Sequence, residues 1–179
     1  MLNGIFILAE LPAEIGEQIR VVNERYDPKL ARSKPPHITL TGSSGVGPIP
    51  ASVTVEQLRA AVEPITRTTS PLTLSFRRPQ RFMQTNIIVL PIDPHGPIRM
   101  LHDRLATSGL PFTRSRYTFS PHATLSLYPS RDSKSLRELL DVRIPESFVI
   151  SALQLYHTRE PQPSRKLLEL QLTGGSEKD

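Results

Sequence analysis

The chain has 179 residues, of which 37% are hydrophobic, and its 22 basic and 17 acidic side chains give a net charge of +5. This length suffices for one hydrophobic core, and no apolar run approaches the roughly 20 residues needed to cross a bilayer. The absence of cysteine excludes disulfides, thiolate catalysis and cysteine-bound zinc. We expect a cytoplasmic monomer with no membrane partner, whose mild positive charge favours anionic partners such as nucleotides or RNA ends.

The first half of the chain, residues 1–82, alternates strand and helix patterns. Ile15, Ile19 and Val22 recur at i, i+4 and i+7, which predicts a helix after an apolar strand. Thr54 and Gln57 have the spacing of a capping box and predict the start of another helix. The predicted order is a strand at 5–11, a helix, an extended histidine segment at 36–41, a second helix and a strand at 72–76.

The second half, residues 86–173, repeats this order. It consists of a strand at 87–92, a helix with apolar positions 98, 101 and 105, a histidine segment at 121–126, a helix around 136–140, and strands at 147–156 and 166–172. The recurrence predicts an α+β fold with two pseudo-symmetric lobes, each an antiparallel sheet with flanking helices, around a central cleft. One bilobal domain then spans 1–173, and 174–179 form a disordered tail.

A five-residue pattern occurs once in each half, as PHITL at 36–40 and PHATL at 121–125. Alternate side chains of a strand share a face, so each histidine lies on the same side as the threonine two positions later. The two faces carry His37, Thr39 and Thr41 in the first half, and His122, Thr124 and Ser126 in the second. Two matching rows of imidazole and hydroxyl groups suit phosphate chemistry.

Two histidines on opposite sides of a phosphodiester can act as general base and general acid, because the ordinary imidazole pKa lies near 6.5. The threonine hydroxyls can hydrogen-bond the non-bridging phosphate oxygens. Either histidine can be the base. This scheme needs no cofactor or metal ion, and the histidine spacings are not those of a zinc site.

With these two motifs the chain resembles the 2H phosphoesterase superfamily, which includes 2′-5′ RNA ligase-like proteins and cyclic nucleotide phosphodiesterases. The resemblance implies two lobes around a cleft and metal-independent opening of 2′,3′-cyclic or 2′-linked phosphodiesters on nucleotides or RNA ends. It also implies that His37, Thr39, His122 and Thr124 are the catalytic residues. Ligase-like members often carry an arginine after the second motif, where this chain has Ser126-Leu127-Tyr128.

Two other functions stay open. One is a module that binds RNA ends or cyclic nucleotides without turnover, in which the histidines only donate hydrogen bonds. The other is ATP-independent ligation of 2′-5′ RNA junctions, which the missing arginine disfavours.

Three residues before the second motif are candidates for substrate binding. Arg116 shares the parity of His122 and can reach a phosphate, and Tyr117 offers ring surface for a nucleobase, as does Tyr156. Phe119 either stacks on a base or walls the cleft. We further expect residues 42–47 to form a flexible lip over the cleft, and His102 to lie on the exposed side of its helix.

Overall fold

A computed structural model describes residues 2–82, 84–129 and 132–175. The elements are β1 (Asn3–Glu10), α1 (Ala13–Tyr26), α2 (Pro28–Ser33), β2 (His37–Thr41), α3 (Val55–Arg67), β3 (Leu72–Leu74), β4 (Gln80–Arg81), β5 (Ile88–Pro91), α4 (Pro97–Ala106), β6 (His122–Ser126), α5 (Ser133–Leu140), β7 (Phe148–Ile150), β8 (Ala152–Arg159) and β9 (Arg165–Gln171). Of the predicted tail, residues 176–179 lie outside the described residues. Gly174 does not fit that prediction, because its N–H donates to the Thr69 carbonyl at 3.0 Å.

The strands form antiparallel sheets, which confirms the predicted fold class. One sheet has the order β2-β1-β8-β9, a second has the order β4-β5-β6, and β3 pairs with β7. The histidine strands β2 and β6 are edge strands of their respective sheets, and they contact each other. The two motifs are therefore brought together where the sheets meet.

The sheets do not coincide with the two halves of the sequence. β1 and β2 from the first half share a sheet with β8 and β9 from the second half. The predicted strand at 147–156 is in fact two strands in different sheets, since the chain leaves β7 and enters β8 at Ser151. The carbonyl of Ser151 accepts a hydrogen bond from the Leu172 N–H at 2.8 Å.

The helices cross between the halves as well. α1 follows β1 in the chain but packs against β6, whereas α4 follows β5 and packs against β2. The internal repeat stays a prediction, and this reciprocal exchange of helices supports it. Each histidine strand thus rests on a helix that the opposite half of the chain supplies.

Local signals explain where the helices begin. The capping box is present at the start of α3, where the Thr54 hydroxyl accepts from the Gln57 N–H at 3.2 Å and the Gln57 side chain accepts from the Thr54 N–H at 2.9 Å. The short helix α2 was not predicted, although Asp27 caps it by accepting from the Leu30 N–H at 3.0 Å and Pro28 occupies its first turn.

Within the described residues, none of the helices combines the length and apolar character that a membrane span requires.

Candidate active site

Both histidine strands have the same backbone setting. Each pairs antiparallel with the first strand of its own half, with the partners Glu10↔His37, Leu8↔Thr39, Pro91↔His122 and Val89↔Thr124. Each register then skips one residue, Leu40 in β2 and Leu125 in β6, which is the pattern of a β-bulge. The two motifs therefore share a register as well as a sequence.

The proline before each histidine takes part in this setting. The Pro36 carbonyl accepts from the Leu11 N–H at 3.0 Å, and the Pro121 carbonyl accepts from the Ile92 N–H at 2.9 Å. Both donors come directly after the strand with which the motif pairs. These bonds fix the backbone on the N-terminal side of each imidazole.

The two imidazoles are held in the same way. Nδ1 of His37 lies 2.7 Å from the Pro35 carbonyl oxygen, and Nδ1 of His122 lies 2.7 Å from the Ser120 carbonyl oxygen. A carbonyl can only accept, so Nδ1 carries the hydrogen in each neutral ring and Nε2 keeps its lone pair. Among the described residues, neither Nε2 has a hydrogen-bond partner, and both are available for proton transfer.

The surroundings of both rings disfavour the imidazolium. Burial lowers the pKa of His37 to about 3, and the positive charge of Lys34 and the proximity of His122 act in the same direction. Burial also lowers the pKa of His122. Both groups are therefore neutral at pH 7 in the free protein.

Thr39 and Thr124 are half-buried, and their hydroxyls form no hydrogen bond to the described residues. The third member of each predicted row differs: Thr41 and Ser126 are both 0% exposed, so they do not line an open surface. The bulge after each threonine is the physical reason, because it ends the regular alternation of the strand. Each open row consists only of one histidine and one threonine.

Lys34 lies beside His37 and was not predicted as a site residue. Its Nζ donates to the Thr158 hydroxyl at 3.2 Å and lies 4.9 Å from the centre of the Phe6 ring. Burial lowers its pKa to about 8. Among the described residues no carboxylate forms an ion pair with it, which leaves a cation next to the first histidine. Its position three residues before His37 is the only signal in the sequence.

An aromatic wall flanks the second histidine. Tyr117 is 37% exposed and meets Phe82 edge to face, with 5.7 Å between ring centres, and the Phe82 ring lies 4.5 Å from that of His122. Phe82 was also missed, since it follows a two-residue strand that the sequence did not reveal. Arg116 is exposed and has no partner among the described residues, so its guanidinium is available to an anion.

Two predicted ring surfaces are not open. Phe119 is 5% exposed and stacks on His102, with 4.0 Å between ring centres, so its ring is covered and offers no open face to a base. Tyr156 is also 5% exposed, and its hydroxyl donates to Glu10 at 2.6 Å. The expectation of an exposed His102 was wrong: the residue is 3% exposed, because its face of α4 packs against β2.

Residues 42–47 are bound to the chain leading into the second motif and do not form a free lip. The Gly45 N–H donates to the Tyr117 carbonyl at 2.9 Å, and the Gly47 N–H donates to the Thr113 carbonyl at 2.8 Å. The buried Ser44 hydroxyl accepts from the Ser120 N–H at 3.0 Å.

In the part of the chain that the structure describes, no three histidine, aspartate or glutamate side chains are grouped as a metal site requires.

A family model described as the 2′-5′ RNA ligase superfamily matches residues 10–162. The chain belongs to the 2′-5′ RNA ligase superfamily. This confirms the resemblance to 2H phosphoesterases that the two motifs indicated. No curated protein matches the sequence significantly.

Solved structures share the fold over almost the whole chain. E. coli LigT complexed with 3′-AMP has a TM-score of 0.61 at 21% identity, over 96% of this chain and 98% of that one. A protein described as a phosphoesterase has a TM-score of 0.59 at 22% identity, over 97% and 99%. The protein TT0787 of Thermus thermophilus has a TM-score of 0.66 at 14% identity, over 97% and 100%.

Proposed function

We propose that this superfamily member is a phosphoesterase that opens 2′,3′-cyclic or 2′-linked phosphodiesters of nucleotides or RNA ends by two-histidine acid and base catalysis. The observation that carries the proposal is the matched pair of imidazoles. In each ring the Nδ1–H group donates to a backbone carbonyl, and Nε2 has no hydrogen-bond partner among the described residues. Each ring also has a nearby threonine whose hydroxyl has no partner among those residues. The catalytic residues are His37, Thr39, His122 and Thr124.

In the proposed reaction a water oxygen attacks phosphorus while Nε2 of one histidine removes a water proton. The bond from phosphorus to the 2′ or 3′ oxygen breaks, and Nε2 of the other histidine, protonated beforehand, gives its proton to that oxygen. The product is a phosphate monoester with a free neighbouring hydroxyl. A base and an acid placed in this way each contribute roughly a hundredfold to ten-thousandfold.

The two threonine hydroxyls stabilise the transition state by donating to the non-bridging oxygens, where negative charge is held. Each hydroxyl lies two residues from its histidine on the same strand face, so it is within reach of the same phosphate. Lys34 adds a positive charge on the His37 side of the site. An anionic substrate also raises the pKa of the nearby imidazoles, which favours the protonated form that the general acid requires.

Arg116 and Tyr117 are the proposed contacts to the rest of the nucleotide. The guanidinium of Arg116 is exposed and can bind a second phosphate. The partly exposed ring of Tyr117, supported edge-on by Phe82, can pack against a base. E. coli LigT has been crystallised with 3′-AMP, with ATP and with NADP+, which supports a nucleotide as the ligand class of this fold.

The test compares turnover of a 2′,3′-cyclic nucleotide, in excess chelator, by the native protein and by His37→Ala, His122→Ala and His95→Ala. His95 is exposed and lies outside the site, so it is the matched control. We expect each of the first two changes to lower kcat at least about a hundredfold and the control to keep native turnover.

Full activity of either site variant would refute the two-histidine mechanism. Retained binding of the cyclic nucleotide, with no turnover by the native protein, would instead support the binding module. Joining of 2′-5′ RNA junctions without opening of the cyclic ester would support the ligase.

A further inference from the structure

In both halves, the β-bulge places a buried backbone carbonyl outside the regular hydrogen-bond ladder. Leu40 and Leu125 are the residues that the strand registers skip, and they are 2% and 0% exposed. A bulged residue falls out of the regular ladder, and a carbonyl buried without a partner costs free energy comparable to a lost hydrogen bond. Both bulges come one residue after the threonine of a motif, so their geometry affects the site directly.

A helix side chain from the opposite half supplies a hydrogen bond at each bulge. Nδ1 of His102, on α4 of the second half, lies 2.6 Å from the Leu40 carbonyl oxygen of the first half. The Asn23 amide nitrogen, on α1 of the first half, lies 2.8 Å from the Leu125 carbonyl oxygen of the second half. It also lies 3.1 Å from the carbonyl oxygen of Thr124.

Although both donors, His102 and Asn23, are polar residues, each lies on the buried side of its helix and is only 3% exposed. Burying an amide or an imidazole is unfavourable unless the group is hydrogen-bonded. If these positions only filled space in the core, an apolar residue would be sufficient, so the polar side chains indicate a need for the hydrogen bonds. His102 forms one further contact, because its ring stacks on Phe119, three residues before His122. The two buried polar side chains are therefore placed at equivalent points of the two motifs.

We propose that His102 and Asn23 are reciprocal positioning residues, each of which fixes the bulge that orients the catalytic strand of the opposite half. The proposal rests on the proposed function, since it takes His37 and His122 to be the acid and base pair. His102 holds the strand that carries His37, and Asn23 holds the strand that carries His122. Because each histidine strand is held by a helix of the opposite half, the two hydrogen bonds together set the distance between the two Nε2 atoms.

Neither residue is itself a catalytic group. Nδ1 of His102 is committed to a carbonyl, and both side chains lie below the strands in the protein interior. Their effect on the reaction passes through the backbone. A displacement of about 1 Å at a reacting group can lower the rate a hundredfold, so loss of either bond affects kcat more than KM.

The experiment uses His102→Leu and Asn23→Leu, which replace each hydrogen-bond donor with an apolar side chain of similar size. His102→Asn places an amide at the position of Nδ1 and keeps a donor. Ile98→Val and Ile19→Val are matched controls, since these residues are buried on the same two helices and offer no hydrogen bond. The readouts are kcat and KM with 2′,3′-cyclic AMP, and the proton NMR resonances and titrations of the His37 and His122 rings.

We expect His102→Leu to shift the resonance of His37 and Asn23→Leu to shift that of His122, with kcat lowered about tenfold to a hundredfold and KM changed less than about threefold. His102→Asn should regain at least half of the lost activity in logarithmic terms. The isoleucine controls should lower thermal stability without moving either histidine resonance.

Shifts of both rings in each variant, or of neither, would overturn the reciprocal assignment, as would a Leu variant with native kcat. The NMR readout does not depend on turnover. If the native protein opens neither 2′,3′-cyclic AMP nor a 2′-linked dinucleotide, the proposed function fails, while the pattern of resonance shifts in the two variants still decides the positioning proposal.

Discussion

Replacing His37 with glutamine should reduce the loss of stability in acid. Burial, the charge of Lys34 and the proximity of His122 keep the pKa of His37 at about 3 in the folded protein, against roughly 6.5 in the unfolded chain. As the pH falls below 6.5, the unfolded chain therefore binds a proton that the folded protein does not. The free energy of unfolding is largest above pH 6.5 and decreases between pH 6.5 and 3.

The linkage relation gives the size of this effect. A single group with these two pKa values lowers the free energy of unfolding by about 2 kcal/mol between pH 8 and pH 5. His122 and His102 contribute in the same direction, because burial lowers the pKa of both. The native protein should therefore lose at least that amount over this interval, and His37→Gln should lose about 2 kcal/mol less.

Urea unfolding at pH 8 and pH 5 measures this difference in the native protein, His37→Gln and the exposed control His95→Gln. The control leaves the buried histidine in place, so it should follow the native protein. An identical loss in His37→Gln and the native protein would refute the argument that His37 is neutral because of its surroundings.

Three further outcomes follow from the site. Thr39→Val and Thr124→Val should each lower kcat/KM about tenfold to a hundredfold in steady-state assays, because a hydrogen bond to a charged oxygen is worth roughly 1 to 3 kcal/mol; an unchanged value for both would contradict the role of the hydroxyls. A pH series should show kcat/KM of the native protein falling about tenfold per pH unit above pH 7, since the pKa values of both histidines lie below 6.5 in the free protein, whereas a plateau to pH 9 would not fit. Gly45→Ala should lower the melting temperature measurably, because its Cβ would lie 2.2 Å from Nε2 of His102 at a φ of +75°, and a native melting temperature would contradict that packing.

The sequence predicted the elements whose signals are local. The capping box of α3, the apolar spacing of α1 and α4 and the paired motifs each reflect neighbours a few residues apart, and the structure contains all of them. The short helix α2 has a local signal in Asp27 and Pro28, yet its six residues are too few for a hydrophobic period to stand out.

Features that depend on contacts between the halves were not predictable in this way. His102 lies on a helix that looks amphipathic with the histidine at its border, and only the packing of α4 on β2 shows that this border is buried. Phe82 lies in a segment without periodicity and joins the site because the chain folds back next to His122. Lys34 precedes His37 by only three residues, but its burial depends on distant contacts with Phe6 and Thr158. The bulges at Leu40 and Leu125 also leave no mark in an alternating pattern, so Thr41 and Ser126 were expected on an open face.

The most direct test of the central claim is a phosphorus NMR time course of the purified protein with a 2′,3′-cyclic nucleotide in excess chelator, beside the double variant His37→Ala, His122→Ala. We expect the native protein to convert the cyclic ester to one monoester isomer and the double variant to leave it intact. Equal conversion by both proteins would contradict the assignment of the chemistry to this pair of histidines.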